Sequence, residues 1–193
     1  MKWSTPCKKY SDEELMVLIR NEDNIYLREL YHRYNRRLLY FFYRMFGGDE
    51  AKAQDFLQEV FLKIIENSDH YNHDMKFSNW IFTIASNLCK NEYRRLKIRE
   101  TTQSEPNMDL HGQSNADDHI QKIHHSDFEK AIQVELQKMK PEHSSTFILR
   151  FQEDLTIEEI GDIMKCPPGT IKSRIFYVTK KLASRLHRFN PKC

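Results

Sequence analysis

Along the 193-residue chain, apolar side chains recur mostly at three- and four-residue steps, the period of a helix with one buried face rather than the two-residue period of a strand. Ser11 and Glu14 have the spacing of a capping box ahead of Leu15, Val17, Leu18 and Ile19. Leu27, Leu30, Tyr31, Tyr34, Leu38, Phe41, Phe42 and Met45 then form the inner stripe of one long helix, which Gly47-Gly48 ends. A third helix is predicted over about 49–67, with Ala53, Phe56, Leu57, Val60, Phe61 and Ile64 inward. A fourth starts near Ser78, a suitable N-cap, turns Trp80, Ile81, Ile84, Ala85 and Leu88 inward, and continues into Lys90, Arg94, Arg95, Lys97 and Arg99.

The pattern then stops. Between Arg94 and Asp127 there is no aromatic residue, although the chain holds 2 Trp, 9 Tyr and 12 Phe. This polar, aperiodic stretch cannot bury enough apolar surface to offset the entropy of ordering it, so residues 100–126 are expected to be a flexible acidic linker. Helical periodicity resumes with Phe128, Ile132, Leu136 and Met139, and Pro141 suits the first turn of the next helix, which carries Phe147, Ile148 and Phe151. Thr156 and Glu159 repeat the capping-box spacing and open a short helix to about Met164. After Lys165-Cys166-Pro167-Pro168-Gly169, a last helix is predicted from Thr170, with Ile171, Ile175, Val178, Leu182 and Leu186 at core spacing. The expected fold is all-α: two small helical domains, 1–99 and 127–193, joined by the linker.

Composition narrows the class. Hydrophobic residues make up 39% of the chain, as in a globular protein, so complete disorder is excluded. Mean hydropathy is −0.73, and no stretch approaches the roughly 18 apolar residues of a membrane span. The N-terminus lacks an export signal, so membrane insertion is not expected and a cytoplasmic location is. Cys7, Cys89, Cys166 and Cys193 form no C-x-x-C pair and are read as reduced thiols. The net charge of +2 hides a partition: −2 over 1–75, +4 over 76–100, −4 over 101–127, −4 over 128–162 and +8 over 163–193. Two basic blocks set apart by acidic ones predict two contacts with a polyanion such as DNA, which responds to local charge.

Candidate chemistry follows the same partition. The segment LTIEEIGDIMKCPPGTIKSRIFYVTKKL reads as helix, short turn, helix, with Thr170, Lys172, Ser173, Arg174 and Tyr177 facing outward. Basic and hydroxyl side chains near the start of a second helix suit the DNA major groove, where Arg and Lys reach guanine edges. On the fourth helix, Ser86, Asn87, Lys90, Asn91, Arg94 and Arg95 combine amide, hydroxyl and cationic groups close to Phe77, Trp80 and Phe82, a mixture that suits an opening duplex. The spacing of Trp80 and Phe82 places them in the core rather than against bases. Asp55, Gln58 and Glu59 form an acidic and amide face on the third helix, which by itself reads as a solvated surface. No catalytic constellation, metal site or cofactor motif is found: H-E-x-x-H, G-x-S-x-G and Walker-type loops are absent.

Taken together, these segments resemble the bacterial RNA polymerase sigma factors of the extracytoplasmic-function (ECF) group in the sigma-70 family. DFLQEVFLKII resembles the region-two helix that docks on the β′ clamp, WIFTIASNLCKNEYRR the helix that melts and reads the minus-ten element, and the helix-turn-helix the region-four reader of the minus-thirty-five element. The resemblance gives Asp55, Gln58 and Glu59 a polymerase-binding role, matches Ser86 and Asn87 to minus-ten-reading positions, and matches Thr170, Lys172, Ser173 and Arg174 to the start of the recognition helix. The loop 72–77 falls where the family captures a flipped base. It implies a monomeric, non-catalytic, cofactor-free initiation factor whose partners are core RNA polymerase (β′ clamp and β subunits), promoter DNA and an anti-sigma factor. Gly161 departs from the Ala common at its place, and Pro167-Pro168 makes a stiffer turn. The alternative reading from the residues alone is a stand-alone helix-turn-helix regulator with an N-terminal effector or dimerisation domain.

Overall fold

In the computed structural model, residues 9–19, 24–102 and 127–189 are described, and their regular structure is helical. The helices are α1 (Asp12–Ile19), α2 (Asn24–Met45), α3 (Glu50–Glu66), α4 (Phe77–Thr102), α5 (Asp127–Gln137), α6 (Pro141–Phe151), α7 (Ile157–Met164) and α8 (Pro168–Arg185). Helix α4 runs three residues into the expected linker. The remainder of that linker, with Cys7 and Cys193, lies outside the described residues.

Local chemistry sets most boundaries. Ser11 and Glu14 form the predicted reciprocal cap, with the Ser11 N–H donating to Glu14 Oε2 (2.7 Å) and the Glu14 N–H to Ser11 Oγ (3.1 Å). Gly47 and Gly48 turn the chain after α2 at φ +76° and +91°, a region that L side chains rarely enter. Asp49 then caps α3 by accepting from the Lys52 N–H at 3.0 Å.

The start of α4 differs from expectation. Ser78 is not its cap; the helix begins at Phe77, whose N–H donates to Glu13 Oε1 of α1 at 2.9 Å. Partial burial favours the neutral acid, but this backbone bond and the Ser11 hydroxyl outweigh it and hold Glu13 below the ordinary carboxylate range. Since the cap comes from another helix, local sequence could not reveal it.

The N-terminal core is aromatic. Phe41, Phe42 and Phe82 are fully buried, and Phe41 meets the other two edge-on at 5.6 and 5.8 Å between ring centres. Leu30, Leu38, Ile64 and Ile81 complete this core, whereas Tyr31 lies at the surface over Phe61. Phe77 is buried as well, and Trp80 is half-buried between Tyr71 and Phe77. The nearly buried Glu92 carboxylate joins α4 to α3 through Lys52 (2.8 Å) and also binds Arg95 (2.8 Å).

In the C-terminal half, Leu136, Ile148, Leu149, Ile160, Ile163, Ile171 and Val178 form the core. Thr156 and Glu159 make the second capping box (2.9 and 3.1 Å), and Lys165 closes α7 in the left-handed region at φ 51°. Helix α8 begins at Pro168, two residues earlier than expected, because Pro is pre-set for a first helical turn. Phe128 and Phe151, expected inward, are exposed and lie against Phe189 and Phe147. A Cβ on Gly161 would approach the Cys166 carbonyl oxygen to 3.0 Å, so the helix-turn-helix turn folds back tightly over this position.

The two halves dock. Helix α5 lies on the turn after α2: Gln133 Nε2 donates to the Tyr43 carbonyl (3.2 Å), and Arg44 Nη1 to the Glu129 carbonyl (3.3 Å). Helix α6 packs on α2 and α4, and α7 packs along α4.

Two stability effects follow. Gly47→Ala puts a Cβ 2.6 Å from Gln137 Nε2 at a positive φ, and should cost more than about 1 kcal/mol in urea denaturation. Adding Gln137→Ala should recover only the steric part. Burial of Glu92 favours its neutral form, but hydrogen bonds from Arg95 and Lys52 overcome this and lower its pKa. Its contribution is therefore present above the unfolded value near 4.5 and lost as pH falls through the folded one. Glu92→Gln should destabilise by about 1–2 kcal/mol at pH 7, and by less in acid, in the same assay.

Candidate polymerase and nucleic-acid interfaces

Helix α3 spends Ala53, Leu57, Val60 and Ile64 on the core, which leaves Asp55, Gln58 and Glu59 on its outer side. Asp55 and Gln58 are exposed; Glu59 is half-exposed and lies 3.9 Å from Lys63. The same side continues with Leu62 (57% exposed) and Ile65 (50% exposed). The missed signal was that two apolar residues continue their three- and four-residue spacing where the helix has no core left to cover. A mixed acidic and apolar helix face of this kind suits a protein partner, since isolated acids would not need neighbouring apolar contacts. A groove of about 1060 Å³ runs beside it, lined among others by Tyr31, Arg36, Leu57, Gln58 and Gln152.

On α4, Asn87, Lys90, Asn91 and Arg94 share one exposed face. Arg95 is exposed too, but its guanidinium is engaged by Glu92. Ser86 is half-buried, and its hydroxyl oxygen is buried without a hydrogen-bond partner. The loop before the helix exposes Asn72, His73, Asp74, Met75 and Lys76, and Tyr71 anchors it by donating its phenol proton to the Met75 carbonyl.

On α8, Lys172, Ser173 and Tyr177 are exposed, whereas Thr170 and Arg174 are half-buried. Arg174 points back to the turn, with Nη1 3.7 Å from Cys166 Sγ. Tyr177 rests on the His143 ring at 4.8 Å between centres. Burial, with Arg174 nearby, pushes that imidazole below its ordinary pKa. Phe176 is 66% exposed on the same face, with Lys180 beside it; its place off the core stripe, among the outward polar residues, is the signal that marks it. Among described residues after Asp162 there is no acid, so α8 carries no negative charge of its own, and Glu135 of α5 faces only its far end at Lys181 and Arg185. Cys89 is buried, which pushes its thiol pKa strongly upward, and Cys166 is half-buried and unbonded to another sulfur. No helix among the described residues is long and apolar enough to cross a membrane.

Among the described residues, two ion pairs cross between the halves. Arg37 Nε lies 2.7 Å from Glu153 Oε2, and the Glu153 side chain is only 4% exposed. Burial raises the Glu153 pKa even with Arg37 beside it, so the pair directs how the halves meet more than it adds stability. Lys76 Nζ lies 2.7 Å from Glu159 Oε1, and that hydrogen bond, with the Thr156 backbone N–H, holds the Glu159 carboxyl below its ordinary range.

Residues 30–98 match the Sigma-70 region 2 family and residues 136–184 match Sigma-70, region 4. The chain is 27% identical over 159 residues to the ECF RNA polymerase sigma factor SigW of Bacillus subtilis, covering 79% of this chain and 84% of that protein. It is 26% identical to the RNA polymerase sigma-H factor of Pseudomonas aeruginosa, over 86% and 88% of the two chains. In fold it is similar to the sigma factor RpoE from Bartonella quintana, solved in complex with the anti-sigma factor NepR, at a TM-score of 0.67 and 21% identity, covering 84% of this chain and 98% of that one. It is also similar to CnrH in complex with the cytosolic domain of CnrY, at 0.66 and 17%, covering 93% and 99%. The region 2 match spans the helices that a stand-alone regulator would devote to an effector module, and it precedes the region 4 match in the order the motifs predict. With matches to both regions, in that order and together over most of its length, the chain belongs to the sigma-70 family, as an RNA polymerase sigma factor of the ECF group.

Proposed function

We propose that Asp55, Gln58 and Glu59, extended by Leu62 and Ile65, form the surface by which this sigma factor binds the β′ clamp of core RNA polymerase. The observation that carries this reading is the uninterrupted outer face of α3, acidic at one end and apolar at the other. Sigma factors are initiation factors rather than catalysts, so specificity must come from how DNA is held. Asn87, Lys90, Asn91 and Arg94 on α4 supply amide and cationic groups for the minus-ten strand, with Ser86 at the edge of that face. Lys172, Ser173 and Tyr177 on α8 face the minus-thirty-five groove, and Phe176 offers apolar contact of the kind a thymine methyl accepts. Thr170 and Arg174 support the start of that helix as much as they reach outward.

The chain works where RNA polymerase works, in the cytoplasm. An anti-sigma factor is a further partner in this reading, supported by the fold shared with the sigma factor RpoE, which was solved in complex with the anti-sigma factor NepR. Two short recognition surfaces on one chain act as a bivalent reader, so that each raises the effective concentration of the other at a promoter.

Run-off transcription with core polymerase on promoters selected from genomic fragments should initiate above the level of core alone; no gain would end the sigma reading. Asp55→Ala with Gln58→Ala should weaken capture of core polymerase about tenfold or more while leaving duplex binding by the full chain unchanged. Lys172→Ala should weaken binding to the selected promoter and, by removing one cation from the DNA surface, reduce the slope of log affinity against log salt by about 0.9, read by titrating holoenzyme onto that promoter at several salt concentrations.

A further inference from the structure

The loop ahead of α4 is held at both ends, and one of the holding groups comes from another helix. Residues 72–76 are all exposed, yet the loop is ordered from within. The Met75 N–H donates to the Asn72 carbonyl (3.0 Å), the Asp74 N–H to Asn72 Oδ1 (3.0 Å), and the Tyr71 phenol to the Met75 carbonyl. The far end is the first amide of α4, that of Phe77, whose position in the helix leaves it without an intrahelical acceptor. Glu13 of α1 accepts from it at 2.9 Å, at the positive end of the α4 dipole and with Lys76 nearby. Burial, then the negative charges of Glu13 and Asp12, pushes the Tyr71 phenol up to about 12, so both acids of α1 face the buried anchor of the loop.

Helix α1 can hold the loop because it is itself pinned. Leu15 and Met16 are fully buried, and Asp12 accepts from Arg33 Nη1 (2.7 Å) and from the Tyr34 hydroxyl of α2. Tyr34 in turn meets the Phe77 ring edge-on at 5.1 Å, so residues outside α4 fix both the ring and the backbone N–H of Phe77. The same loop leads directly into the helix that carries Asn87, Lys90, Asn91 and Arg94, and it exposes the Asn72 amide and the His73 imidazole. Unpaired bases offer free edges and faces to such groups. A loop already ordered before binding holds a strand more tightly than one that must lose its freedom on binding.

We propose that Glu13 is a positioning residue for strand capture: by accepting from the Phe77 N–H it keeps the loop 72–76 and the first turn of α4 in the shape that takes the opened minus-ten strand. The consequence for promoters rests on the sigma reading, whereas the contact between Glu13 and Phe77 is a property of the free chain. Two variants separate reach from charge. Glu13→Gln keeps an acceptor oxygen at the same reach and removes the charge, and Glu13→Asp keeps the charge on a side chain one methylene shorter.

In the free full-length protein, hydrogen exchange read by mass spectrometry should be about tenfold faster at the Phe77 amide in Glu13→Asp, and close to wild type in Glu13→Gln. Circular dichroism checks that both variants stay folded. Holoenzyme carrying Glu13→Asp should bind a single-stranded oligonucleotide with the minus-ten element of the selected promoter about tenfold more weakly. Its capture of core polymerase and its affinity for a short duplex with the upstream element should not change, and Glu13→Gln should match the wild type in all three. Undiminished single-strand binding by Glu13→Asp, an equal loss in all three measurements, or a Glu13→Gln as weak as Glu13→Asp would overturn the proposal. Failure of the wild type to initiate transcription would instead overturn the sigma reading, and the exchange comparison would still decide whether Glu13 holds the loop.

Discussion

The edge-on contact of Phe41 with Phe42 and Phe82 is the constraint on which the N-terminal half depends. It commits the inner face of α2 to α4, and α3 closes the same core through Leu57, Val60 and Ile64. Each of these helices then has one side fully spent on burial. Whatever polar or apolar groups remain on the other side are held at fixed angles on rigid elements, because a helix buried along one stripe cannot rotate without exposing that stripe to water. Asp55, Gln58, Leu62 and Ile65 on α3 and Asn87, Lys90 and Arg94 on α4 owe their exposure to this core. The C-terminal half repeats the logic at smaller scale, where burial of Ile171 and Val178 turns Lys172, Ser173 and Tyr177 outward.

Electrostatics divides the labour that packing makes available. The +8 block over 163–193 carries no acid, so α8 keeps its positive field. In α4 the field is partly tied down, since Glu92 holds Arg95 as well as Lys52. Pairing of this kind fixes the helix against its neighbour, and the free cations of the same helix, Lys90 and Arg94, stay available on its exposed side. Between the halves the balance is different. Glu153 is buried deeply enough for its carboxyl pKa to rise despite Arg37, so the pair contributes orientation more than stability. Beside these pairs, the docked state is held by side chain-to-carbonyl hydrogen bonds and by the packing of α6 on α2 and α4 and of α7 along α4.

Much of this was legible in the sequence because it is local. Both capping boxes, the glycine turn after α2, the proline start of α6 and nearly all core stripes follow from spacing and residue type. So do the exposed Asp55, Gln58, Asn87, Lys172 and Ser173, since a polar residue opposite an apolar stripe has only solvent or a partner to face. Where periodicity misled, the helix had more apolar residues than its core could cover: Tyr31, Phe128 and Phe151 are exposed.

The sequence by itself therefore determined helix content, the two halves and which polar face each helix leaves outside its core, because backbone hydrogen bonding and the 3.6-residue period act over a few residues. Only the tertiary structure decided that Glu13 of α1 caps α4, that Ser86 and Arg174 are drawn partly inward, and that the halves dock through Arg37–Glu153 and Lys76–Glu159. Those contacts join groups 64, 116 and 83 positions apart, and nothing in local spacing selects one distant carboxylate over another until packing has brought the helices together.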